Sequence, residues 1–133
     1  MKKSLMLLAL TGMVASGAAH ADTSQMKIAF SNNYAGNSWR QAMLKSYDIV
    51  VKKAVADHVV AAADVFTTSD KEVPTQAAQI QNLILQGYNA IVIDAASPDA
   101  LNGAIKQACD AGIVVVSFYG IVTEPCSSRV VVD

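Results

Sequence analysis

Residues 74–118 read PTQAAQIQNLILQGYNAIVIDAASPDALNGAIKQACDAGIVVVSF, and their punctuation decides the fold. Pro74 suits the first turn of a helix, where its missing N–H would have had no partner. Ala77, Ile80, Leu83 and Ile84 recur at helical spacing and supply one apolar face. Gly87 is the left-handed residue expected just past a helix end, so the helix spans 74–86. Residues 90–94 (AIVID) are nearly all apolar, as a strand covered on both faces should be. Ser97 and Pro98 then open another helix by the same cap logic, Gly112 closes it, and 113–118 form a second continuously apolar strand. Strand and helix in alternation signal right-handed crossovers and a parallel sheet.

The same alternation extends in both directions. Residues 26–31 (MKIAFS) read as the first strand, and the loop at 32–37 holds Gly36 and three asparagines, all at home in turns. Asn37 or Ser38 caps a helix that runs to 57, with Ala42, Met43, Tyr47, Val50 and Ala54 as its apolar stripe. A weaker strand at 63–67 ends in the polar turn 68–72. Beyond the fourth strand, 119–128 form a loop and 129–133 begin a fifth strand. The expected class is α/β, a doubly wound and mostly parallel sheet with three helices. Such sheets bind ligands outside the carboxyl ends of their strands, beside the point where the winding reverses. The loops at 32–37, 68–72, 94–97 and 118–120 are therefore the places for a site.

Residues 1–21 read as a secretory signal, with Lys2 and Lys3, an apolar run at 5–14, and Ala19-His20-Ala21 as the cleavage site. The apolar run is about ten residues long, and a bilayer span needs about 20. The segment is a removable address rather than an anchor, and the mature domain, 22–133, is expected in the periplasm. No later run reaches membrane length. Removing Lys2 and Lys3 takes the formal charge from −1 to −3. An acidic domain without a basic cluster is a poor partner for nucleic acid. In an oxidising compartment Cys109, near the end of the third helix, and Cys126, in the loop past the adjacent strand, are expected to form a disulfide. Two buried thiols are the alternative.

Catalytic patterns are missing from the sequence. Gly36 alone is not GxGxxG, His58 is the one histidine beyond the signal, and Ser97 lacks a G-x-S-x-G elbow. No histidine pair or Cys-x-x-Cys offers a metal site, so neither an enzyme nor a cofactor is expected. The chemistry on offer is binding. The run from Asn32 to Arg40, NNYAGNSWR, sets amides that both donate and accept beside aromatic faces able to stack on a sugar ring. That mix suits a neutral polyol, although each asparagine alone reads equally as a turn former and Trp39 as helix packing. Asp94 ends an apolar strand, where a carboxylate is costly unless paired. It either accepts ligand hydroxyls or satisfies amides in the 95–97 turn. Tyr119, with Gly120, lies at the same height after the next strand and either stacks on a ligand or closes its loop.

Three stretches, GNSWRQAM at 36–43, AAQIQNLILQGYNAIVI at 77–93 and ASPDALNGAIKQACDAGI at 96–113, carry a family resemblance. In this order they resemble the amino-terminal lobe of type I periplasmic solute-binding proteins, ribose-binding-protein-like receptors that serve sugar ABC importers. The resemblance implies strand order 2-1-3-4-5, a sugar clamped between two lobes, and a closed form read by an ABC permease. It implies cleft contacts from Asn33, Tyr34 and Trp39 after the first strand, and from Asp94 and Ser97 after the third. Tyr119 stands after the fourth, where many members carry an aspartate. By this likeness 22–133 is a first lobe cut in or after its fifth strand, with the second lobe absent. Such a piece is expected to bind sugar weakly and to self-associate through the edge at 129–133. The expected function is an exported receptor for a small carbohydrate. The alternatives are a sensor presenting sugar to a chemoreceptor or sensor kinase, and a fragment without activity. Intact-mass measurement of exported protein should find a chain beginning at Asp22; Met1 retained on secreted protein would refute the address.

Overall fold

The computed structural model describes residues 21–131, and the expected signal therefore lies, but for Ala21, outside the described residues. The elements follow in the order β1 (Lys27–Asn32), α1 (Ser38–Ala56), β2 (Ala62–Thr67), α2 (Val73–Leu85), β3 (Ala90–Asp94), α3 (Asn102–Asp110), β4 (Val114–Phe118) and β5 (Ser128–Val130). One sheet holds all five strands in the order β2-β1-β3-β4-β5, and every neighbouring pair is parallel. The α/β class, the three helices and the implied strand order are all met. The winding reverses between β1 and β3, the point at which such sheets bind ligands. There the register sets Asn32 beside Asp94 on one side and beside Thr67 on the other.

Strand alternation sorts side chains to two unequal faces. Ala29 of β1, Ile91 and Ile93 of β3 and Val115 of β4 share one core with Ile80 and Leu83 of α2 and with Ala104, Ile105 and Ala108 of α3. Ser31 points the same way, where its hydroxyl donates to Gln79 Oε1 at 2.6 Å and accepts from Gln76 Nε2 at 3.0 Å. The other face carries Phe30, whose ring meets Tyr47 of α1 at 5.2 Å and Phe118 at 5.5 Å between centroids. Gly87 and Gly112 take the positive φ expected after α2 and α3.

Three expectations need correction. The stripe of α1 is Arg40, Met43, Leu44, Tyr47, Val51 and Ala54, while Ala42 is exposed and Val50 is 66% exposed. Arg40 is the one buried residue of α1, and its insertion sets the phase; a stripe drawn through apolar residues alone is turned away from it. The third helix begins at Asn102 rather than at Ser97-Pro98, because residues 98–101 form turns. Ser97 Oγ accepts from the Ala100 N–H at 3.2 Å, and Thr123 holds the turn by donating to the Pro98 carbonyl (2.9 Å) and to Asp99 Oδ1 (2.6 Å). Finally, β1 runs one residue further than expected, because Asn32 joins both neighbouring ladders.

A disulfide joins Cys109 of α3 to Cys126 in the loop before β5, 17 residues apart with Cα atoms 6.4 Å apart. Among the described residues no helix is long and apolar enough to cross a membrane.

Tyr88, buried between α2 and β3, donates its hydroxyl to Asp64 Oδ2 at 2.7 Å. Burial first, then that hydrogen bond and the Asp64 charge, push the phenol up to about 12. The folded chain thus keeps a proton that the unfolded chain releases near pH 10, so the contribution of Tyr88 to stability is intact below about pH 10 and is lost as the pH rises towards about 12. Urea titrations near pH 8 and near pH 11 should show a larger loss in wild type than in Tyr88→Phe, and equal losses would remove Tyr88 as the cause. Replacing both cysteines by serine should lower stability by about 3 kcal/mol, the loop-closure value for a ring of this size. An unchanged denaturation midpoint would mean that the bond constrains little.

Candidate functional site

The site is built on two strand ends. Asn32 and Asp94 are completely buried neighbours where the winding reverses, and a carboxylate in that position needs a counter-charge. It comes from the first turn of α1. Asn37 caps this helix from an extended backbone, its side-chain oxygen accepting from the Arg40 N–H at 2.9 Å. Arg40 is thereby started back over the sheet. Its Nη1 donates to Asp94 Oδ2, to Asn32 Oδ1 at 3.1 Å and to the Tyr34 carbonyl at 3.4 Å. The second Asp94 oxygen accepts from the Gly120 N–H at 3.1 Å. Burial pushes the Asp94 carboxyl above its ordinary value, while the Arg40 charge and the Gly120 N–H hold it back.

The turn after β3 is served by another residue. Gln76 of α2, completely buried, accepts from the Ala96 N–H at 2.8 Å and donates to the Asp94 carbonyl at 3.0 Å. The Ala95 N–H goes to the Gly120 carbonyl at 3.1 Å. Of the two roles weighed for Asp94, capping of the 95–97 turn falls to Gln76 and the Gly120 carbonyl, and its carboxylate ties α1 and the 119–120 loop.

Above this floor stand two stacked rings. Trp39 and Tyr119 lie 4.7 Å apart at 28° between planes, and they are 48% and 66% exposed. The guanidinium carbon of Arg40 is 5.0 Å from the Tyr119 ring and 6.0 Å from that of Trp39. Gly120 passes so close to β3 that an added Cβ would stand 2.6 Å from Asp94 Oδ1 and 2.5 Å from the Ala95 carbonyl. Beside the stack, Phe118, Ile121 and Val130 help to line an open concavity of 380 Å³.

The six expected contact residues divide into groups. Trp39 and Tyr119 are brought together. Asn33 is buried against the β3 loop, its amide donating to the Ala95 carbonyl at 2.8 Å, and its buried Oδ1 has no hydrogen-bond partner. Tyr34 is half-buried, its ring laid over Gly36. Asp94 is sealed beneath the stack by Arg40 and Gly120, and Ser97 stands aside as the cap of its turn. Asn32 and Arg40 lay in the run singled out at 32–40 and Gly120 in the loop at 118–120, each without a role of its own, and Gln76 was missing from the expectation. The signal for Arg40 was available: a carboxylate at the end of an apolar strand demands a cation, and Arg40 is the one arginine before residue 129. Among the described residues no cluster of three or more His, Cys, Asp or Glu could hold a metal ion. With its two charges spent on each other, the site presents an exposed aromatic face above a floor that has no free charge.

The family described as periplasmic binding protein domain matches residues 28–133. Among solved structures, the chain is similar to an ABC transporter solute binding protein from Thermobispora bispora DSM 43833, at 39% identity and a TM-score of 0.76, covering 79% of this chain and 33% of that one. It is similar to a sugar ABC transporter from Actinomyces odontolyticus ATCC 17982 at 27% identity and a TM-score of 0.67, covering 80% and 33%. A 5-methylthioribose transporter solute binding protein from Thermotoga lettingae TMO shares the fold, at 23% identity and a TM-score of 0.69, covering 84% and 33%. The chain spans about a third of the length of each of these structures.

Proposed function

The chain belongs to the periplasmic binding protein domain family, and from that premise we propose that it forms the first lobe of an exported receptor delivering a small sugar or polyol to an ABC permease. The observation that carries this reading is the exposed Trp39–Tyr119 stack beside an open concavity at the strand ends. A pyranose or furanose has C–H faces that pack on an aromatic plane and hydroxyls that need acceptors at its rim. The stack supplies the plane. An amino acid or a phosphate ester would look for a free charge, and here Arg40 and Asp94 have consumed theirs. The likeness to a sugar ABC transporter at 27% identity supports the same class. Periplasmic location follows from the signal reading.

In this reading Trp39, Tyr119, Tyr34 and Asn33 face the ligand, and Asp94 works from below by holding the floor. A thermal-shift panel of neutral monosaccharides and polyols on the lobe joined to a second lobe, followed by calorimetry on the best of them, tests the proposal. Trp39→Ala should weaken the binding about tenfold, the effect of losing about 1.4 kcal/mol of ring contact. A response to amino acids or phosphates with none to sugars would overturn the reading. So would sugar binding indifferent to Trp39.

A further inference from the structure

We propose that Arg40 is a positioning residue that builds the Trp39–Tyr119 plate before any ligand arrives, acting through Asp94 and the backbone of Gly120. The inference deepens the sugar-receptor reading, because it concerns the plate assigned to the ligand there. Its test uses no ligand and stands apart from that reading.

The starting observation is the backbone of Tyr119. Its φ is +58°, the left-handed region, which a residue with a Cβ adopts only when its surroundings over-determine it. The surroundings can be named. Gly120 is bracketed by two hydrogen bonds, its N–H to Asp94 Oδ1 (3.1 Å) and its carbonyl from the Ala95 N–H (3.1 Å). The space around it admits no side chain. This bracket fixes the direction of the chain leaving Tyr119. Further on, the completely buried Val122 and the bonds from Thr123 to Pro98 and Asp99 hold the loop from the other side. From that backbone the Tyr119 ring lies over Trp39.

Arg40 completes the bracket from below. Asp94 can offer an oxygen to Gly120 in a dry interior because Arg40 neutralises it. The same guanidinium lies 5.0 Å from the Tyr119 ring and 5.8 Å from that of Tyr34, within cation–π reach of both. Its Nη1 serves Asp94 and Asn32 while the delocalised charge of the guanidinium stays within reach of both rings, which the compact ammonium of a lysine does not reproduce. Trp39 precedes Arg40 directly on α1, so inserting Arg40 also sets where the indole stands. One side chain thus aligns both halves of the plate, although they are far apart in sequence. The competing account is that Arg40 only neutralises a buried carboxylate.

Trp39 is the only tryptophan of the chain, so its fluorescence and near-ultraviolet circular dichroism report the plate. The variants are Arg40→Met with Asp94→Asn, which leaves no lone buried charge, Tyr119→Leu, the triple combination, and Arg40→Lys, which keeps the cation and loses the plane. In the Arg40/Asp94 double variant we expect loss of the Trp39 circular-dichroism band and acrylamide quenching raised to the level of Tyr119→Leu. Adding Tyr119→Leu should change neither signal further. Arg40→Lys should keep the far-ultraviolet spectrum of wild type and lose the Trp39 band. Wild-type Trp39 signals in the double variant, or effects of the Arg40/Asp94 and Tyr119 changes that add, would overturn the proposal. If the double variant does not fold, Arg40→Lys decides: a wild-type Trp39 band in it overturns the proposal, and a lost band in a folded protein supports it.

Discussion

Asp94 closes an apolar strand at the reversal of the sheet with no contact to water, and the guanidinium of Arg40 makes that position tenable. Removing one partner of such a pair leaves a bare charge in the interior, a penalty of about 3–5 kcal/mol. Much of the surrounding arrangement depends on this constraint. Because Arg40 has to reach Asp94, α1 must be capped at Asn37 and turn its Arg40–Met43–Tyr47 side to the sheet. Because Asp94 has a second oxygen to satisfy, the backbone at Gly120 is drawn down onto β3. The positions of the two exposed rings then follow from the positions of these two backbones.

The sequence was legible where local rules decide. Strand β3 with Gly87 before it, strand β4 with Gly112 before it, and the Pro74 start of α2 could be read from periodicity and punctuation, since their outcomes need no partner. Strand order could not be read that way. It came from a family likeness, because periodicity says nothing about which strand lies beside which. The start of α3 was misread because Ser-Pro opens a turn as well as it opens a helix, and here bonds from Thr123, far along the chain, settle the choice. The α1 stripe was misread for a related reason: a pattern of apolar residues gives no weight to an arginine, yet Arg40 is the deepest residue of that helix.

For the site, the aromatic residues were legible and their relation to one another was not. Trp39 and Tyr119 stood out as large rings near strand carboxyl ends, but their stacking depends on a salt bridge and a glycine contact spanning three elements. Pre-assembly of this kind matters to a binder because every side chain that a ligand must order is subtracted from affinity. A plate already stacked, on a loop tied down at Gly120, Thr123 and Cys126, leaves little ordering to be done.

The unequal packing of the two sheet faces has a dynamic consequence. Helices α2 and α3 place Ile80, Leu83, Ile105 and Ala108 in the common core, whereas α1 buries one side chain fully and leaves Ile49 and Val50 to solvent. Local opening starts where the least apolar contact is given up. The amide protons of α1 therefore exchange through a smaller excursion than those of β3 and α2, with the end beyond Tyr47 letting go before the end pinned by Arg40. The helix that presents the indole is thus fastened at the cleft by a buried ion pair and held at its far end by surface contacts alone.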